Sequence, residues 1–261
     1  MQIGDLLRRG LAAGAAAGCL AAVWLLLITE RFINQALAIE DARNAREAAA
    51  VAAKGNHVHH HDELVSHPQQ VLFAVLALVV VGALVGLVFA VVYAAARGRL
   101  PGYHDRTKAL ALAGLAFFGV TFFPFVAIPG NPPAVGDPST IEDRTLIYLG
   151  AMVLGVVLVL AAFALDKALQ GTVDGGVRTA LVLAFVVLAG VGLQLLIPNT
   201  PDTVQSRDFS LALNASPELI WNFRMASLGQ FVVLWGALGA IFGALVGRKV
   251  PAVEARETVA A

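Results

Sequence analysis

Six stretches of this chain are long, apolar and free of charge: residues 10–29, 71–96, 109–128, 145–165, 179–197 and 225–247. A helix needs about 20 residues to cross the ~30 Å hydrocarbon core of a bilayer, and each stretch is close to that length. None shows the apolar–polar alternation of a lipid-facing barrel strand. The pattern predicts an all-α polytopic transmembrane bundle of six spans, forming one integral membrane domain over residues 1–261.

The first stretch also has features of a signal peptide. Arg8 and Arg9 precede it, and Ala36-Leu37-Ala38 follows as a small-residue cleavage pattern. Its apolar run exceeds the ~7–15 residues of a signal core, and charged Glu30 and Arg31 stand between it and the cut. A retained helix is expected; cleavage would leave five spans.

Basic residues orient the bundle. With the N-terminus inside, the inner segments carry Arg8, Arg9, Arg97, Arg99, Arg106, Lys108, Lys167, Arg178, Arg248, Lys249 and Arg256. The outer segments carry Arg31, Arg43, Arg46, Lys54, Arg144, Arg207 and Arg224, spread over much longer connections. Both termini are therefore expected in the cytoplasm, in a multi-pass protein of the cell membrane. The spans then form three in–out–in pairs, with outer connections at 30–70, 129–144 and 198–224 and tight inner ones at 97–108 and 166–178.

Composition agrees: 58% of residues are hydrophobic and 14% charged, with a mean hydropathy of +0.77, against roughly 25% charged in soluble domains. Eighteen basic and eighteen acidic residues balance, which gives no support to a nucleic-acid partner. The single cysteine, Cys19, excludes an intrachain disulfide and a cysteine-rich metal site. In an apolar run it is expected to act as a small buried hydrophobe.

Candidate chemistry concentrates in the first outer connection. Five of the six histidines, His57, His59, His60, His61 and His67, fall within eleven residues, beside Asp62 and Glu63. Neutral imidazole is the commonest metal-binding side chain, and carboxylates add oxygen ligands. In an extended segment His57, His59 and His61 share one side. Such a set suits Co²⁺, Ni²⁺, Zn²⁺ or Cu²⁺, and affinity order alone does not choose among them. Upstream, residues 39–54 are rich in alanine, with Glu40, Asp41, Arg43, Arg46 and Glu47. That composition, with Arg43 four residues before Glu47, predicts that helix one continues beyond the membrane as a polar stalk, ended by Gly55-Asn56. Glu30, at the outer end of helix one, reads either as an interfacial carboxylate paired with Arg31 or as an acidic step between the histidines and a route through the bundle.

Glycines at four-residue spacing (Gly10, Gly14, Gly18; Gly82, Gly86; Gly239, Gly243, Gly247) predict closely packed helix faces. Pro124 should either kink segment three or free the Val120 carbonyl for a cation. Asp137, Glu142 and Asp143 suit a cation or, for Asp137, a turn cap. Residues 216–224, with Pro217, Trp221 and Phe223, suit an interfacial helix entering span six. No Asp, Glu, Lys, Arg or His lies inside any of the six stretches; Thr121, Gln194, Ser227 and Gln230 supply the polarity there. The carboxylate signature of proton- or sodium-coupled pumps is thus missing, as is a phosphate-binding loop for ATP. No base or nucleophile is positioned for catalysis, so the chain is not expected to be an enzyme or to hold a permanent cofactor.

Four segments together resemble the CbtA-type cobalt transporter subunits. They are Glu30 after helix one, the histidines at 57–61, Asn131-Pro132-Pro133-Ala134-Val135-Gly136-Asp137-Pro138 with Arg144-Thr145, and Ser216-Pro217-Glu218-Leu219 through Phe223-Arg224-Met225-Ala226-Ser227-Leu228. The resemblance implies a membrane component of cobalt uptake, often encoded beside cobalamin genes. It also implies a small single-helix partner subunit with histidines of its own. The family is usually described with five spans, one fewer than counted here. Co²⁺, or else Ni²⁺ or Zn²⁺, is the expected substrate, with His57, His59, His60, His61, Asp62, Glu63, His67 and Glu30 as its ligands. The alternative is a non-transporting membrane metal sensor or assembly factor.

Overall fold

The longest helical run begins almost at the N-terminus. A computed structural model describes residues 2–53, 65–102, 104–133, 135, 140–198 and 216–247. In it α1 (Ile3–Trp24), a π-helical turn (Leu25–Thr29) and α2 (Glu30–Ala53) follow one another without a break. The first two are apolar; α2 is the polar stalk that its alanine and charge pattern predicts. At 1.5 Å per residue its axis advances about 34 Å from Glu30 to Ala53. Arg43 on the stalk lies 4.0 Å from Glu40; the side chain of Glu47, its expected partner, and the Gly55-Asn56 end signal lie outside the described residues.

The other spans are α3 (His67–Ala96), α6 (Ile141–Leu169), α7 (Gly175–Leu196), α8 (Pro217–Val246), and a composite of α4 (Asp105–Ala116), a second π-helical turn (Phe117–Phe122) and α5 (Phe123–Ala127). Six helices are thus long and apolar enough to cross a membrane, and no strand occurs among the described residues. The protein is an all-α, multi-pass membrane protein. The helix of span one runs unbroken through Ala36-Leu37-Ala38, and α1 carries the face on which α3 and α8 pack.

Close backbone approach builds the core. A side chain at Gly14 would collide with the backbone of Gly82 and Gly86, so α1 and α3 touch main chain to main chain. Gly239 and Gly243 play the same part for α8 against Ala109, Ala113 and Arg106 of α4. Phe242 centres the core, with Phe89 and Tyr93 edge-on to it at 5.3 and 5.1 Å. Gly102 (φ 109°) and Gly171 (φ 79°) hold left-handed backbone in the two tight connections.

Two details depart from expectation. The third pair of spans does not pack as a hairpin: α7 lies against α6, whereas α8 lies against α1 and α4. Cys19 is exposed on the outer face of α1 rather than buried; beside it Leu20 and Val23 are also about half exposed, so this face meets lipid and a small thiol suits it as well as a core would. Pro124, the second residue of α5 and just beyond the π-helical turn, has its ring fully buried.

Candidate functional site

Glu30 is the first residue beyond the π-helical turn of span one, and its N–H donates to the carbonyl of Leu25, five residues back. A π turn holds one residue more than an α turn, and one residue rotates everything beyond it by about 100°. The turn thereby aims the Glu30 carboxylate at the start of α3. That start is fixed by Ser66-His67-Pro68-Gln69: the Gln69 side-chain oxygen accepts from the Ser66 N–H at 3.0 Å and its hydroxyl at 3.1 Å, while Gln70 donates to the Val65 carbonyl at 3.1 Å. His67, the first residue of α3, places Nε2 at 2.8 Å from Glu30 Oε1. The Glu30 side chain is 15% exposed and that of His67 36%. The other imidazole nitrogen, Nδ1, is buried with no hydrogen-bond partner among the described residues.

Glu30 does not pair with Arg31, whose guanidinium lies 4.6 Å above the Phe32 ring. Of the eight expected ligands, the structure brings together Glu30 and His67; His57, His59, His60, His61, Asp62 and Glu63 lie outside the described residues. Asp137 lies outside them too, and Glu142 and Asp143 occupy the first turn of α6, where the helix dipole favours acids. No group of three or more His, Cys, Asp or Glu side chains suited to a metal forms among the described residues.

The surroundings of Glu30 are assembled from distant parts of the sequence. Phe32, Ala36 and Ile39, at the foot of the stalk, pack with Leu219 and Ile220 of α8 and with Val135. Arg224 donates to Asn131 Oδ1 at 2.7 Å, tying α8 to the Asn131-Pro132-Pro133 segment. The Ser216 hydroxyl caps α8 by accepting from the Leu219 N–H at 3.2 Å. Helix, proline-rich connection and stalk therefore meet at the bundle end where the Glu30–His67 pair sits.

Deeper in the bundle the polar groups find partners on or near α8. Trp24 donates its indole N–H to the Ala226 carbonyl at 2.9 Å, and Thr29 donates to Gln230 Oε1 at 3.4 Å. Trp235 donates to Thr121 Oγ1 at 2.9 Å, and Gln194 to the Phe123 carbonyl at 2.7 Å. Thr29 and Thr121 are both buried, one in each π-helical turn. Sequence reasoning singled out Thr121, Gln194 and Gln230 but missed Thr29 and the two tryptophans. The available signal was that an indole N–H deep in an apolar span must find an acceptor.

Residues 3–247 match the family described as "Probable cobalt transporter subunit (CbtA)". No curated protein and no solved structure matches the chain.

Proposed function

The chain belongs to the CbtA family of cobalt transporter subunits, and on that premise we propose that it captures a divalent metal ion, Co²⁺ before Ni²⁺ or Zn²⁺, outside the membrane and passes it inward. In this reading His57, His59, His60 and His61, with Asp62 and Glu63, take the ion from solution. His67 and Glu30 receive it at the foot of the stalk, and the termini are cytoplasmic. The observation that carries it is the Glu30–His67 pair at 2.8 Å, surrounded by the same proline-rich and α8 segments on which the family resemblance rests. An imidazole nitrogen and a carboxylate oxygen supply a ligand set for a borderline divalent ion, and the neighbouring histidines complete it. The six charge-free stretches hold no Asp, Glu, Lys, Arg or His to couple transport to protons, so the driving force comes from a partner subunit, the membrane potential or the metal gradient. No catalytic role is assigned.

Radiolabelled Co²⁺ uptake into cells carrying the wild type or the His57→Ala, His59→Ala, His60→Ala, His61→Ala variant tests this. Loss of most uptake is expected; unchanged uptake removes the histidines from the path. The lack of charged groups in the six apolar stretches favours a second reading, a membrane metal sensor or assembly factor. Metal binding without flux in liposomes, with or without a small partner subunit, selects it.

A further inference from the structure

Spans two, three and four enclose an apolar cleft of about 570 Å³. Its walls include Val92 of α3, Leu112 and Ala116 of α4, and Leu160 and Phe163 of α6; the polar exception at its mouth is Arg99. A specific contact explains why it opens. Gly119 and Gly155 bring the composite span and α6 together backbone to backbone, so that a side chain at Gly119 would stand 3.1 Å from the Gly155 oxygen. From that pinch toward the end bearing Arg99 the cleft stays unfilled.

Its depth and charge identify an occupant. On α3 the lining runs from Leu84 to Ala96, about 18 Å at 1.5 Å per residue, close to one leaflet's half of a ~30 Å hydrocarbon core. A helix crossing the bilayer here would have to pass the Gly119–Gly155 pinch. An alkyl chain of one leaflet needs no such passage. The connection at the mouth carries Arg97, Arg99, Arg106 and Lys108 against Asp105, and the Asp105 carboxylate accepts a hydrogen bond from the Tyr93 hydroxyl at 2.8 Å. Arg99 is exposed, with no ion pair or side-chain hydrogen bond among the described residues. A basic mouth above a one-leaflet apolar slot matches a phospholipid with an anionic headgroup.

We propose that this cleft binds one acyl chain of an anionic phospholipid, with Arg99 on the headgroup phosphate. The test is native mass spectrometry of the delipidated full-length protein offered phosphatidylglycerol or phosphatidylcholine. One retained phosphatidylglycerol per chain is expected, with retention reduced about fivefold in Arg99→Gln, the factor one basic side chain contributes at an anionic surface, and restored in Arg99→Lys. Ala116→Phe, which fills the slot, should abolish retention of both lipids; the exposed Arg99 variants keep the test decisive if it fails to fold. Equal retention by wild type, Arg99→Gln and Ala116→Phe overturns the site, as does equal retention of the two lipids by wild type. A protein, rather than lipid, captured by a photoreactive group at position 160 also overturns it.

Discussion

Glu30 and His67 lie 37 positions apart in sequence and meet at 2.8 Å, at the point where span one passes into the stalk and span two begins. Solvent reaches His67 more than Glu30, 36% against 15% exposed, and an ion pair that water reaches stabilises a fold by only about 0–1 kcal/mol. The proposed role of the pair in metal capture is tested by removing either partner. Glu30→Gln and His67→Ala should each lower Co²⁺ uptake several-fold while leaving the thermal unfolding midpoint of purified protein nearly unchanged. A drop in the midpoint with uptake intact would assign the pair to structure instead.

Metal capture should depend on pH in one direction. Imidazole coordinates through a lone pair that protonation removes, and an unperturbed histidine gains its proton near pH 6.5. Binding is thus present at neutral pH and lost as pH falls below about 6, whereas carboxylates of ordinary pKa stay ionised to about 4. Calorimetric titration of Co²⁺ into the detergent-solubilised protein at pH 7.5 and 5.5 separates the two ligand types. Undiminished binding at pH 5.5 would place the burden on Asp62, Glu63 and Glu30.

The α1–α3 contact should reject any side chain. Gly14→Leu would drive a side chain into the Gly82 and Gly86 backbone, and overpacking of this kind typically costs about 1–3 kcal/mol. The expected result is loss of a monodisperse peak in size-exclusion chromatography. Gly236→Leu is the matched control, since nothing lies within 4 Å of a side chain there, and it should behave as wild type.

Trp235→Phe and Thr121→Val each remove the same buried hydrogen bond. Interhelical bonds inside membranes average about 0.6 kcal/mol and reach about 1.7. Each variant should lower the unfolding midpoint modestly, and the double variant should cost less than the sum of the two. Full additivity would show that the bond contributes nothing to holding α8 against the composite span.

The spans were legible because hydrocarbon imposes both a length and an exclusion of charge, and nothing else in residues 71–96 or 145–165 competes with that signal. The stalk was legible for a related reason: alanine and charged residues from Ile39 onward favour helix without favouring lipid. The Glu30–His67 contact was not legible. A periodicity of 3.6 residues forecasts facing side chains along a regular helix, and the π-helical turn at Leu25–Thr29 inserts a residue that the pattern does not announce. The placement of α8 was hidden for another reason. Its glycines signal a close partner, but Gly239 and Gly243 carry no information that the partner is α4 and α1 rather than the preceding helix, α7. Cys19 shows the limit of residue-type habits in lipid, where the outside of a bundle is as apolar as its core.

The length of the stalk separates two electrostatic environments. The field of an anionic membrane surface decays over a Debye length, about 8 Å at physiological ionic strength. Ala53, four residues before His57, stands about 34 Å along the helix axis from Glu30, some four Debye lengths away. Charge at the bundle end, where Glu30 and His67 meet, is therefore screened from the far end of the stalk, and an ion bound by the histidines in the proposed route would be chosen there by its chemistry for imidazole rather than by a surface field.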